Sequence, residues 1–150
     1  NRGTLCMPTD PNLEHLFISV AVAVAALLVI RTLSRLLSGV PFVSPQTVQQ
    51  ALTSAVSDCL ILDVRQPAEF NDALGHIKGA INIPLGDIPA RLAEVRAQLQ
   101  NHAHVPVYVV CRSGARATSA AKMLKKAGLE NVAVMSGGMV RWKRAGLATA

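Results

Sequence analysis

Beyond residue 40, apolar residues follow two alternating patterns. Short and nearly unbroken apolar runs predict buried strands of a parallel sheet, and they lie at residues 59–64, 80–83, 105–110 and 131–135. Between these runs, apolar residues recur every three or four positions, which predicts amphipathic helices that begin near Ser44, near Ile88, near Ala117 and after Gly138. Strands that alternate with helices predict an α/β domain over residues 41–150, with a mostly parallel central sheet flanked by helices.

A different pattern occupies residues 1–40. The run Leu16–Ile30 contains no charged residue, and Arg31 and Arg35 follow it, whereas acidic residues precede it. As a helix, the strict run covers about 22 Å and the wider window 13–37 about 37 Å, against a hydrocarbon layer of about 30 Å. This asymmetry favours an uncleaved transmembrane helix over about 13–37, with a single pass through the inner membrane and the α/β domain in the cytoplasm. The alternative is a helix that is buried or packs against another membrane protein.

The charge balance narrows the choice of partners. The net charge is +6, of which residues 1–40 contribute +1 and residues 41–150 contribute +5. The chain has one Trp, one Tyr and three Phe, and no cluster alternates basic side chains with stacking rings, so nucleic-acid binding is not expected. The basic balance instead favours attraction to small anions or to an anionic membrane face.

The cysteines and histidines give no sign of a metal site. Cys6, Cys59 and Cys111 are too few and too scattered for a disulfide framework, and no two have the spacing of a zinc site. Among the histidines only His102 and His104 are close, in a stretch typical of a polar loop. The sequence therefore predicts no metal and no cofactor, and a reducing compartment for the domain.

One cysteine lies where chemistry is expected, at the carboxyl end of the predicted strand 105–110. If the loop after it curls into a ring, its amide N–H groups and the dipole of the following helix favour an anion at the centre. The Cys111 sulfur would occupy that centre, which favours the nucleophilic thiolate. Gly114 permits a tight ring, and Ser113 can donate a hydroxyl hydrogen bond. The predicted anion-binding residues are Arg112, Ser113, Gly114, Ala115 and Arg116.

These motifs together resemble the single-domain rhodaneses, a family of sulfurtransferases. The resemblance covers about residues 42–147 and rests on CRSGAR, LDVR, EF, GHIKGAINIP and a GG followed by Trp142. It implies a rhodanese-like fold in which Cys111 accepts a sulfane sulfur from a small anionic donor such as thiosulfate. The cysteine would hold the sulfur as a persulfide and pass it to cyanide, a thiol or a protein cysteine. By the same resemblance, residues 112–116 form the anion-binding cradle.

Other residues have two interpretations each. Asp63 and Arg65 could support the loop or the substrate, although an ion pair or a turn cap is favoured. For His76, a structural hydrogen bond is favoured over a general acid. Gly137–Gly138 could form a tight turn or approach a substrate closely. Trp142 is interpreted as a core residue beside the loop, with substrate contact as the alternative.

Two other functions compete with sulfur transfer. A cysteine phosphatase or arsenate reductase also places Cys and Arg around an anion at a helix N-terminus. That pattern has five residues between Cys and Arg, whereas four separate Cys111 from Arg116, so the sequence favours sulfur. The second competitor is a membrane-anchored binding or redox-sensing subunit without turnover.

Overall fold

The computed structural model describes residues 11–36, 39–54, 59–99 and 105–150. Three residues considered above, Cys6, His102 and His104, lie outside these ranges. The chain divides into two compact units, Asn1–Leu37 and Ser38–Ala150, which are described separately.

The first unit contains the helix α1, Pro11–Leu36. Within the part of the chain that the structure describes, no helix combines the length and the apolar character needed to cross a bilayer. The predicted transmembrane helix is therefore not supported. Its charge-free stretch, Leu16–Ile30, is fifteen residues long, which as a helix falls short of a hydrocarbon layer of about 30 Å.

The second unit is built on a parallel sheet flanked by helices. Its described strands are β1 (Phe42–Val43), β2 (Leu60–Asp63), β3 (Ile81–Asn82), β4 (Val107–Val110) and β5 (Val132–Met135). They lie in the order β1-β5-β4-β2-β3, and every neighbouring pair is parallel. The helices are α2 (Pro45–Thr53), α3 (Pro67–Phe70), α4 (Ile88–Leu99), α5 (Ala115–Lys126) and α6 (Gly138–Arg144), with a 3-10 turn at Leu85–Asp87.

Two cores form because side chains alternate between the faces of the sheet. In β4, Val107 and Val109 pack on the face that α4 and α5 cover, while Tyr108 and Val110 pack on the face that α2 and α6 cover. The predicted α/β class is thus confirmed. The pattern missed β1 and α3, which have two and four residues and are too short for a periodicity to show.

Neighbouring parallel strands bring their carboxyl ends to one edge of the sheet. In the register of β2 with β4, Asp63 lies opposite Val110, so the residues after these two strands emerge side by side. Arg65 follows β2 and Cys111 follows β4 at this edge. The fold therefore brings the LDVR and CRSGAR motifs together, although more than forty residues separate them along the chain.

A buried ion pair stabilises this edge. Arg65 is 0% exposed and Asp63 is 1% exposed, and Arg65 Nη2 lies 2.7 Å from Asp63 Oδ2. The remaining donors of the guanidinium bond backbone carbonyls: Nη1 donates to Glu69 O at 2.8 Å and Nη2 to Gly75 O at 2.9 Å. A single side chain thus fixes both ends of the segment Glu69–Gly75.

Replacing Asp63 with Asn is expected to lower the free energy of unfolding by about 3–5 kcal/mol, because the buried Arg65 guanidinium loses its counter-charge. Urea denaturation of the full chain, followed by fluorescence of the single, buried Trp142, measures the change. Glu94→Gln is the control, because it breaks the solvent-exposed Arg91–Glu94 pair and should hardly change stability. Equal stability of the two variants would contradict the assigned role of the buried pair.

Candidate active site

Cys111 lies in a tight loop between β4 and α5. The residue is 1% exposed, and the backbone N–H of Gly114 donates to its Sγ at 3.1 Å. Gly114 has a φ of +111°, in a region that favours glycine, and it immediately precedes α5, which begins at Ala115. An amide donor and the N-terminal end of a helix therefore both favour negative charge on the sulfur.

Residues of the loop differ in their exposure to solvent. Gly114 is buried like Cys111, whereas Arg112, Ser113 and Ala115 are exposed. The exposed fraction of the Arg112 side chain is 56%. A backbone N–H therefore contacts the buried sulfur, while the side chains of Arg112 and Ser113 face solvent, where an incoming molecule would meet them.

The second arginine of the loop is already paired. Arg116 Nη1 donates to Glu69 Oε2 at 2.6 Å and Nη2 to Oε1 at 2.7 Å, in a bidentate arrangement. The hydrogen bond from Arg116 lowers the pKa of Glu69 from 4.5 to about 2, and the same bond raises the pKa of Arg116. The sequence predicted that Arg116 belongs to an anion-binding cradle with residues 112–115; the structure shows that its guanidinium pairs with the Glu69 carboxylate, and the anion-binding role stays a prediction.

Arg112 also faces an acidic group. Its Nη1 lies 3.6 Å from Asp72 Oδ2, and the other oxygen of Asp72 lies 3.9 Å from Arg65 Nη1. Asp72 and Glu69 both belong to the segment that Arg65 fixes. Sequence reasoning quoted Glu69 only as part of the EF motif, with no role, and missed Asp72; the available signal was their position after a strand whose carboxyl end adjoins that of β4.

The other candidates have structural contacts. Asp63 and Arg65 form the buried pair described above. His76 stacks on Phe70 with ring centroids 3.8 Å apart, and its Nδ1 lies 3.1 Å from the carbonyl oxygen of Phe70. Trp142 is 1% exposed and donates through Nε1 to a carbonyl oxygen near the C-terminal end. In the ranges that the structure describes, no cluster of three His, Cys, Asp or Glu side chains could hold a metal ion.

Comparison with known proteins identifies the second unit. Residues 44–145 match the rhodanese-like domain family. A sulfurtransferase of Allochromatium vinosum is 33% identical over 105 residues, which cover 70% of this chain and 90% of that protein. YrkF of Bacillus subtilis, provisionally named a sulfur carrier protein, is 34% identical over 105 residues, covering 70% of this chain. The chain spans only 52% of YrkF, about half its length.

A solved structure shares the fold. The crystal structure of thiosulfate sulfurtransferase from Pseudomonas aeruginosa superposes with a TM-score of 0.64 and 28% sequence identity. The match covers 77% of this chain and 21% of that one.

The Glu69–Arg116 pair predicts a specific pH dependence of stability. Because the pKa of Glu69 falls from 4.5 to about 2 on folding, the pair contributes fully above pH 4.5, and the contribution is lost as the pH falls through about 2. Glu69→Gln should therefore lower the urea midpoint of the full chain at pH 7, and the difference from wild type should shrink by more than half at pH 3. A difference that is equal at both pH values would show that Glu69 acts through its shape rather than its charge.

Proposed function

The chain belongs to the rhodanese-like domain family, and on this premise we propose that it is a sulfurtransferase that carries a sulfane sulfur as a persulfide on Cys111. The observation that carries the proposal is the hydrogen bond from the Gly114 amide to Cys111 Sγ, at 3.1 Å, beside the start of α5. A cysteine that served only to fill the core would have no need of such a donor. The names of two relatives, a sulfurtransferase and a sulfur carrier, support the same activity.

The first half-reaction needs a thiolate and an anionic leaving group. With thiosulfate as donor, the Cys111 thiolate attacks the sulfane sulfur and forms a new S–S bond. The bond between the sulfane sulfur and the sulfonate sulfur breaks, and sulfite leaves with the electron pair. The leaving group needs no proton, so the step requires no general acid, in agreement with the structural contacts of His76.

The second half-reaction regenerates the thiolate. A thiolate of an acceptor, or cyanide, attacks the outer sulfur of the persulfide, and the Cys111 thiolate leaves with the electron pair. Cys111 is 1% exposed, while an S–S bond of about 2 Å would carry the outer sulfur farther from its backbone. The burial therefore protects the inner sulfur and presents the outer one to the acceptor.

Thiosulfate is the donor that we propose, because the loop offers an anion three kinds of contact. The exposed Arg112 supplies a cation that Asp72 offsets only at 3.6 Å, and Ser113 supplies a hydroxyl group at the surface. The positive end of α5 adds a partial charge behind them. Arg116 is not counted among these contacts, because the Glu69 carboxylate bonds both of its Nη atoms and offsets its charge.

The same contacts argue against phosphoryl chemistry. A phosphate transferred to the cysteine needs a ring that encloses a tetrahedral group, and four residues separate Cys111 from Arg116 where phosphatases have five. A free guanidinium would also be needed to stabilise the charge on the transferred group. In Arg116 the Glu69 carboxylate offsets that charge.

Treatment of the full chain with thiosulfate is expected to add one sulfur atom to Cys111, detected by mass spectrometry of the intact protein and of its peptides. Cys111→Ser should abolish both the added sulfur and thiosulfate-to-cyanide transfer, because a hydroxyl group cannot replace the thiolate. Cys59→Ser is the matched control and should keep most of the activity. Cys59 precedes β2 and packs against the core on the face that α2 and α6 cover, whereas Cys111 belongs to the core on the opposite face. Transfer that survives in Cys111→Ser would refute the mechanism.

The chain should discriminate sharply between sulfur donors and phosphate esters as substrates. The unmodified chain is expected to transfer sulfur from thiosulfate and to hydrolyse aryl phosphates negligibly, because the ring encloses one sulfur atom but not a phosphoryl group. One glycine inserted after Gly114 should widen the ring and weaken persulfide formation. Efficient hydrolysis of p-nitrophenyl phosphate by a protein that never acquires sulfur on Cys111 would replace this proposal with the phosphatase function.

A further inference from the structure

The Gly137–Gly138 turn lies directly against the backbone of the Cys111 loop. A Cβ atom placed on Gly138 would lie 2.2 Å from the carbonyl oxygen of Cys111 and 2.6 Å from both the carbonyl carbon and oxygen of Arg112. Contacts this short do not occur between a real Cβ and a backbone atom, so no side chain fits at position 138. The close approach that the double glycine permits is therefore to the loop itself.

The approach allows two hydrogen bonds between α6 and the loop. The N–H of Met139 donates to the carbonyl oxygen of Cys111 at 2.9 Å, and the N–H of Val140 donates to that of Arg112 at 3.1 Å. These amides belong to the first turn of α6 and have no partner within the helix. The loop carbonyls thus complete the helix terminus, and the terminus holds two consecutive peptide groups of the loop.

When the direction of a carbonyl is fixed, the direction of the N–H of the next residue is fixed as well. Each peptide group is planar and trans, so its N–H points opposite to its C=O. When α6 holds the carbonyls of Cys111 and Arg112, it sets the direction of the N–H groups of Arg112 and Ser113, which point away from α6. The next amide along the chain is that of Gly114, which donates to Cys111 Sγ.

We propose that Gly138 is a positioning residue for sulfur transfer: by admitting the first turn of α6 to the loop, it orients the two peptide groups that lead from Cys111 to the Gly114 N–H, the donor to the Cys111 sulfur. Gly138 touches no reacting atom and acts through the loop backbone. The inference rests on the proposed function for its catalytic consequence. The effect of α6 on the surroundings of the sulfur should change the reactivity of Cys111 toward any electrophile, whether or not the chain transfers sulfur.

The test compares two glycine-to-alanine variants of the full chain. Gly138 has a φ of +57° and Gly146 a φ of +70°, so alanine is strained by its backbone at both positions. A Cβ on Gly146 meets no atom within 4 Å, whereas one on Gly138 collides with the loop. Gly146→Ala therefore controls for backbone strain, and the difference between the variants isolates displacement of the loop.

The readout is the rate constant with which iodoacetamide alkylates Cys111 at pH 7, resolved from the other cysteines by peptide mass spectrometry. In Gly138→Ala this rate constant should fall by about 10-fold, because the displaced loop no longer holds the Gly114 N–H against the Cys111 sulfur. The kcat for thiosulfate turnover should fall by about 100-fold, as expected for a displacement of about 1 Å. Gly146→Ala should match wild type in both measurements.

Folding is checked by the fluorescence of Trp142, which lies in α6 itself. If Gly138→Ala does not fold, Val140→Pro decides the question, because it removes the donor to Arg112 without adding a Cβ at position 138, in the first helical turn where proline is tolerated. Its alkylation rate constant should also fall. Rate constants of folded Gly138→Ala or Val140→Pro that equal that of Gly146→Ala would overturn the inference. If the rate constants differ but wild type never forms a persulfide, the proposed function fails while the positioning role stands.

Discussion

A guanidinium that is shielded from water must find a partner for its charge and for each of its donors, and Arg65 imposes this condition on the active edge of the sheet. Asp63 satisfies the charge, and the carbonyls of Glu69 and Gly75 satisfy the outer donors. The cost of leaving any of them unpaired fixes the path of the chain after β2. Every charged group that faces the Cys111 loop from this side depends on that path.

The loop is therefore held from two directions by different forces. From the side of β2, carboxylates of Glu69 and Asp72 set the charge around the two arginines. From the opposite end of the chain, α6 holds the carbonyls of the loop through backbone hydrogen bonds that only a glycine at position 138 permits. The first contact controls electrostatics, and the second controls shape. The Cys111 sulfur lies in the loop on which both the carboxylates and α6 act.

Local patterns in the sequence were sufficient to predict the α/β class, four of the strands and the loop that carries Cys111. Each of these depends on residues within one strand or one turn, and so each leaves a local pattern. The partner of Arg116 left none, because Glu69 lies 47 residues away and meets it only through the strand order. The same reason hid the contact of Gly138 with the loop. The apolar run near the N-terminus shows the opposite error, since its composition suggested a membrane span that the described helix does not support.

The separation between a bonded loop backbone and exposed loop side chains has an evolutionary consequence. Arg112 and Ser113 are exposed to solvent, while the hydrogen-bond donor to the sulfur belongs to the main chain, which every residue type shares. Mutations at these two positions would change the side chains that an incoming molecule meets but would leave the backbone donor in place. Selection could therefore change which molecules bind at the loop separately from the backbone geometry at the sulfur.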